Sequence, residues 1–234
     1  MKDRIAMTLV VCCLAGAPAP APAQGSLNTL TPAERADGWR LLFDGKTTAG
    51  WRGWKMDTLP SGWQAVDGAL TRVRKAADII TTDKFKDFEL SLEWKIAKNG
   101  NSGIFYRASE DDDAIYWSAP EMQVLDDAGH PDGKSRLTAA GSDYGLYPSP
   151  AGVVKPAGQW NQARLVVRGN HVEHWLNGVK VVEYELGSPD WEAKVKASKF
   201  AGHAHYGRNP EGYIGLQEHD FWVSYRNIKI RTLP

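Results

Sequence analysis

The chain has 234 residues, of which 42% are hydrophobic, and its 28 basic and 28 acidic side chains cancel to a formal charge of zero. With no basic block and no acidic tail, composition excludes nucleic acid and anionic membrane surfaces as the main partner. Ten tryptophans are a high count, and exposed indoles are a common platform for the apolar faces of sugar rings.

Lys2 and Arg4 precede an apolar run from Ile5 to about Ala17, then a Pro/Ala-rich stretch ending Ala21-Pro22-Ala23-Gln24. This layout predicts a signal peptide over residues 1–23 and an exported mature protein, periplasmic or secreted. The run is shorter than the roughly 20 residues of a membrane-spanning helix, and no later stretch approaches that length. A lipoprotein anchor at Cys12 or Cys13 is the weaker reading, because Val11 and Cys12 are poor residues before a lipidated cysteine. Both cysteines fall in the leader, so the mature chain is expected to fold without disulfides. Residues 24–36 read as an N-terminal connector and 37–234 as a single β-sandwich domain, a length that buries roughly 70% of the unfolded surface.

Within the connector, Thr31-Pro32-Ala33-Glu34 predicts a short helix, with a threonine cap and proline at the first helical position. Residues 88–96 (Phe-Glu-Leu-Ser-Leu-Glu-Trp-Lys-Ile) alternate apolar and polar at every step, the pattern of a half-buried strand. Gly103-Ile104-Phe105-Tyr106-Arg107 follows after the turn Lys98-Asn99-Gly100-Asn101, which predicts a hairpin. Further strands are expected at 121–125, 163–168, 171–176, 180–185, 213–218 and 223–231. Asn177-Gly178 marks a two-residue hairpin turn, since both residues tolerate positive φ. Many short strands without a long amphipathic helix or an internal repeat predict an all-β fold, an antiparallel β-sandwich or jelly roll.

Two longer irregular stretches are the expected walls of a cleft. Residues 108–120 carry the acidic run from Glu110 to Asp113, and residues 187–210 carry His203, His205 and Arg208. The acidic run reads as solvated surface in preference to a calcium site. His203 and His205 fall on one side of an extended segment; without a third assigned ligand they read as substrate contacts in preference to metal ligands.

Side chains two apart in a strand share a face. If Met122 and Val124 enter the core, Glu121 and Gln123 project from the other side, and a bulge or strand end brings Asp126 beside them. The same alternation places Arg107 with Phe105, and Gln217 with His219. Arg107, Glu121, Gln123, Gln217 and His219 then converge on one sheet face as planar hydrogen-bonding groups suited to sugar hydroxyls. The rival reading is a half-solvated sheet with ordinary outward polar residues. His174 is either a core histidine in the stripe Val172-His174-Leu176 or a site residue.

Asn101-Ser102-Gly103-Ile104-Phe105-Tyr106-Arg107, Glu121-Met122-Gln123-Val124-Leu125-Asp126, His174-Trp175-Leu176-Asn177-Gly178 and Gly215-Leu216-Gln217-Glu218-His219 occur in series. Leu42-Phe43-Asp44-Gly45-Lys46 with Gly50-Trp51 opens the series, and Arg226-Asn227-Ile228-Lys229-Ile230 closes it. In these motifs the chain resembles the 3-keto-disaccharide hydrolase domain family. The resemblance implies a concanavalin A-like jelly roll in exported bacterial proteins, and cleavage of glycosides whose sugar has been oxidised to a ketone at C3. It also implies a carbohydrate substrate and leaves room for a sugar-oxidising partner enzyme.

A 3-ketone acidifies the C2 proton, so a base can remove it and the enolate can expel the group at C1, after which water adds. Such chemistry needs a base near C2, a cation or donors near the ketone oxygen, and an acid near the glycosidic oxygen. Glu121 or His174 is the expected base, Arg107 and Gln123 orient the sugar, and His219 is the expected acid. The sequence requires no cofactor, and a divalent metal in place of Arg107 stays open. Two other readings stand beside this one. Residues 121–126 also resemble the Glu-x-Asp-x-x-Glu strand of laminarinase-like retaining glycosidases, but Gln123 replaces the middle acid and the two-carboxyl pair is lost. A non-catalytic glycan-binding module is the other, since one fold carries both enzymes and lectins.

Overall fold

The computed structural model describes residues 26–234. The expected signal peptide, both cysteines and the first two connector residues lie outside the described residues. The connector's helix α1 (Pro32–Ala36) starts as expected, with the Thr31 hydroxyl accepting from the Glu34 amide and the Glu34 carboxylate accepting from the Thr31 amide. Glu34 also pairs with Lys229, and Asn28 exchanges hydrogen bonds with Asn227, which docks the connector on the domain.

Thirteen strands follow. The first five are β1 (Arg40–Leu41), β2 (Trp51–Gly53), β3 (Trp63–Val66), β4 (Ala69–Arg72) and β5 (Ile79–Phe85). Next come β6 (Phe88–Ile96), β7 (Asn101–Ala108), β8 (Glu121–Leu125), β9 (Asn161–Arg168), β10 (His171–Leu176) and β11 (Val179–Glu185). Helix α2 (Pro189–Lys196) precedes β12 (Gly212–Leu216) and β13 (Val223–Thr232). The large sheet runs β11-β10-β9-β6-β13-β4-β3, with β1 also on β13, and the small sheet runs β2-β5-β12-β7-β8. Every ladder is antiparallel. This is the expected all-β sandwich. Among the described residues no helix is long and apolar enough to cross a membrane.

The core lies between the sheets. On β6 the predicted alternation holds, with Phe88, Leu90, Leu92, Trp94 and Ile96 all buried in it. Each such large apolar side chain contributes roughly 1.5–3 kcal/mol by leaving water. The Asn177-Gly178 turn joins β10 to β11 with φ of 50° and 83°, as its residues predict.

The expected hairpin after residue 96 is not formed. β6 pairs with β9 and β13 in the large sheet, whereas β7 pairs with β12 and β8 in the small one. The chain crosses between sheets at Lys98-Asn99-Gly100, where Asn99 takes φ 61° and the Asp126 carboxylate accepts its amide at 2.8 Å. Turn residues mark a change of direction; they do not name the partner strand. Residues 187–210 are also less irregular than expected. Ser188 caps α2 and Pro189 follows at the first helical position, repeating the Thr31-Pro32 signature.

Candidate active site

Along β8 the alternation places Met122 and Val124 in the inter-sheet core and turns Glu121 and Gln123 outward. They do not reach open solvent, being only 6% and 1% exposed. Two segments fold over this outer face. Residues 108–120 bury Ile115 against Phe105, Ile80, Ala108 and Ala119 in a second, small core. Ser118 ties the ends of this loop together by bonding both the amide and the carbonyl of Ser109. The 3₁₀ turn Ile115–Trp117 then presents Tyr116 and Trp117. The segment after α2 anchors Phe200 in the main core, stacked at 4.0 Å on Tyr206, and this places Lys199 opposite β8.

The result is a cleft of about 300 Å³ lined by Asn101, Tyr116, Trp117, Glu121, Gln123, Asp132, Tyr144, Lys199, Gln217 and His219. Among the described residues the side-chain oxygens of Asn101, Gln123 and Gln217 are buried without a hydrogen-bond partner. The Gln123 amide is held by donating its NH2 to the Thr138 carbonyl at 3.2 Å, which leaves the oxygen free. Buried acceptors without partners are costly, and a ligand rich in hydroxyls satisfies them.

Burial drives the Glu121 carboxyl up to about 8; the Lys199 cation opposes this, and Asp78, Asp143 and Asp132 add to it. Burial also pushes the Lys199 ammonium below the usual lysine range, against Glu121 and Asp132. Asp78, beside the cleft, rises to about 6 through burial, although the Glu218 amide donates to it at 2.7 Å. Perturbed titratable groups gathered in a concave site are the usual mark of chemistry.

A wider groove of about 540 Å³ runs over the outside of the large sheet. Its charged side chains are already satisfied, Arg226 by Glu93 and Lys229 by Glu34.

Of the residues expected from sequence, Glu121, Gln123, Gln217 and His219 line the cleft together. Arg107 does not. β7 carries an extra residue opposite β12, since Tyr213 pairs with Ala108 but Gly215 pairs with Phe105. Arg107 sits in this bulge at φ 54° and its guanidinium donates to the Gly169 carbonyl, away from the cleft. One inserted residue reverses the facing of a side chain.

Asp126 also stays out of the cleft, because its carboxylate caps the Asn99 amide at the crossover. His174 is fully buried on the inner face of the large sheet. Its Nδ1–H donates to the Gly141 carbonyl at 3.1 Å, so its Nε2 accepts from the Tyr106 hydroxyl at 2.9 Å. Burial lowers it to about 4 and keeps it neutral. His203 stacks on Trp117 at 3.8 Å and His205 lies 3.1 Å from Asp112, so both brace the cleft wall from behind. The acidic run is used in the same way, with Glu110 held bidentately by Arg52.

Sequence reasoning missed Asn101, Tyr116, Trp117, Asp132, Tyr144 and Lys199. Only Asn101 lay within reach, as the first residue of the motif Asn101 to Arg107; the sequence places it at the end of a turn, whereas β7 in fact starts at it. Among the described residues, the group of histidine and acid side chains close enough to share an ion is His171, Glu173 and Glu183. It lies on the β10–β11 hairpin of the large sheet, and Lys180 already pairs with both carboxylates.

The fold agrees with what the chain is similar to. A 3-keto-disaccharide hydrolase from Bacteroides thetaiotaomicron is 40% identical, with 85% of this chain and 79% of that protein covered. The crystal structure of a candidate glycosyl hydrolase from Parabacteroides distasonis superposes with a TM-score of 0.84 at 32% identity, over 89% of this chain and 100% of that one. A second candidate glycosyl hydrolase from the same organism gives 0.67 at 30% identity, over 83% and 99%. The profile of 3-keto-alpha-glucoside-1,2-lyase-like domains matches residues 38–231. The chain belongs to the family of 3-keto-alpha-glucoside-1,2-lyase-like domains.

Proposed function

We propose that this chain cleaves the glycosidic bond of 3-keto-disaccharides by removing the C2 proton beside the C3 ketone. The observation that carries the reading is the convergence, in one cleft, of a buried carboxyl, a lysine and three unpartnered amide oxygens. Glu121 is the base for C2. Lys199 takes the place at the ketone oxygen that the sequence reading assigned to Arg107, and His219 protonates the departing oxygen. The amides of Asn101, Gln123 and Gln217 hold the sugar hydroxyls, and Trp117 offers an apolar ring face. His174 supports the fold behind the cleft and touches no substrate.

The leader-like start of the sequence supports export to the periplasm or beyond. An oxidising partner enzyme then supplies the 3-keto sugar.

The test incubates the mature protein with a 3-keto glycoside and its unoxidised parent. Cleavage of the oxidised substrate alone, with deuterium from solvent entering C2, is the expected result. Cleavage of both points to an ordinary glycosidase, and cleavage of neither to a binding module. Activity that disappears with a chelator and returns with a divalent ion would replace Lys199 by a metal at the ketone oxygen.

A further inference from the structure

Lys199 is the lysine that lines the cleft. Lys194 pairs with Asp190 at 2.5 Å, and Lys180 pairs with Glu183 at 2.6 Å. Lys199 has no carboxylate within salt-bridge distance among the described residues. Its Nζ instead lies over the rings of Tyr144, Phe200 and Tyr116, at 4.3, 5.2 and 5.4 Å from their centroids. An amine in an aromatic cradle, facing a cleft that it shares with a buried carboxyl, is the setting in which lysine acts as a nucleophile toward carbonyls.

We propose that the Lys199 amine bonds covalently to the C3 carbon of the keto sugar, and that the resulting iminium is the electron sink for cleavage. The inference rests on the proposed 3-keto substrate. Glu121 and Lys199 line the same cleft, and the charge of each favours the charged form of the other. Moving one proton from Lys199 to Glu121 therefore yields a free amine and a carboxylic acid with no change in net charge.

The amine attacks the C3 carbonyl, the Glu121 proton leaves with the carbonyl oxygen as water, and a protonated iminium and a Glu121 carboxylate remain. That carboxylate takes the C2 proton to give an enamine. The enamine expels the C1 substituent, which departs as an alcohol with a proton from His219. One water adds across C1 and C2 and a second hydrolyses the iminium. The 3-keto sugar is released and the Lys199 amine restored, for a net consumption of one water.

The experiment adds cyanoborohydride to the enzyme during turnover of a 3-keto glycoside. The expected result is one sugar adduct per chain on the peptide carrying Lys199, with activity lost in step, and no adduct from the unoxidised glycoside. Lys199→Arg keeps the charge but cannot form the iminium, so it should lose the adduct and at least about 100-fold in kcat. Cleavage by the wild-type enzyme with no adduct at Lys199 would overturn the covalent step while leaving the proposed function intact. So would equal labelling of Lys196, which is exposed as Lys199 is, or Lys199→Arg within about tenfold of wild type. If Lys199→Arg fails to fold, the wild-type adduct decides alone. Failure to cleave any 3-keto glycoside would remove both readings.

Discussion

Gly103 and Glu121 occupy one space: a Cβ built on Gly103 would lie 2.0 Å from Glu121 Oε1. The carboxyl thus lies flat over β7, and the absence of a side chain at position 103 sets where it sits. Gly103→Ala should displace Glu121 and lower kcat by about 10- to 100-fold, since small misplacements of a catalytic group are costly. Glu121→Gln should cost about 100-fold or more, as expected for loss of a general base. Steady-state kinetics on a 3-keto glycoside checks both, with circular dichroism confirming an intact fold. A Gly103→Ala variant as fast as wild type would show that the placement of Glu121 is immaterial.

The pH dependence follows from burial. Glu121 titrates at about 8 in the fold against an ordinary 4.5, and Asp143 at about 8 against 3.8. The native state therefore holds protons that the unfolded chain has released, and stability falls as pH rises from about 5 to 8. His174, lowered to about 4, affects stability only below its ordinary 6.5. Denaturant melts between pH 6.5 and 8 should show the decline, on the order of 1–3 kcal/mol, and Asp143→Asn should make it shallower, leaving the part due to Glu121. The kcat/KM of the wild type should rise with pH through about 8, as Glu121 becomes available as base.

The Gln123 side-chain oxygen is buried without a partner among the described residues, so it weakens the free protein and serves only a ligand. Gln123→Met removes this orphan acceptor together with the donor to the Thr138 carbonyl, two opposing effects, so the melting temperature should change little while kcat/KM falls by about 10- to 100-fold, the cost of one missing hydrogen bond to substrate. A variant that melts lower at unchanged activity would assign Gln123 to the fold.

His174→Ala removes a donor from the Gly141 carbonyl and an acceptor from the Tyr106 hydroxyl, and opens a cavity between the sheets. The expected loss is about 2–4 kcal/mol of stability. Well below the melting transition, kcat should stay within about threefold of wild type. A loss of activity at full stability would return His174 to the reaction.

Strand identity was legible where alternation was strict, as over residues 88–96 and 171–176, both matched by β6 and β10. The strands β1 to β5 were not: β1 to β4 have two to four residues, too few for a readable period, and β5 (Ile-Ile-Thr-Thr-Asp-Lys-Phe) does not alternate. Four of the ten cleft residues were legible for a related reason. Glu121, Gln123, Gln217 and His219 lie on or next to regular strands, where the sequence itself sets the facing.

Arg107 shows where that logic stops. The bulge that turns it away is set by the pairing of β7 with β12, more than 100 residues along the chain, and no local signal announces it. Lys199 shows the converse. It reaches the cleft because Phe200 is fixed in the core and α2 lies against the domain, and such placement depends on contacts that no window of sequence contains.

The sequence by itself determined the antiparallel sandwich, through alternation and turn chemistry, and the outward facing of Glu121 and Gln123. Which carboxyl meets which amine was decided only by the tertiary structure. Loops from 108–120 and from after α2 close over β8, bury Glu121, and bring Lys199 to the same cleft from its more open rim, so that the carboxyl loses the water that would otherwise hold it at its ordinary protonation state.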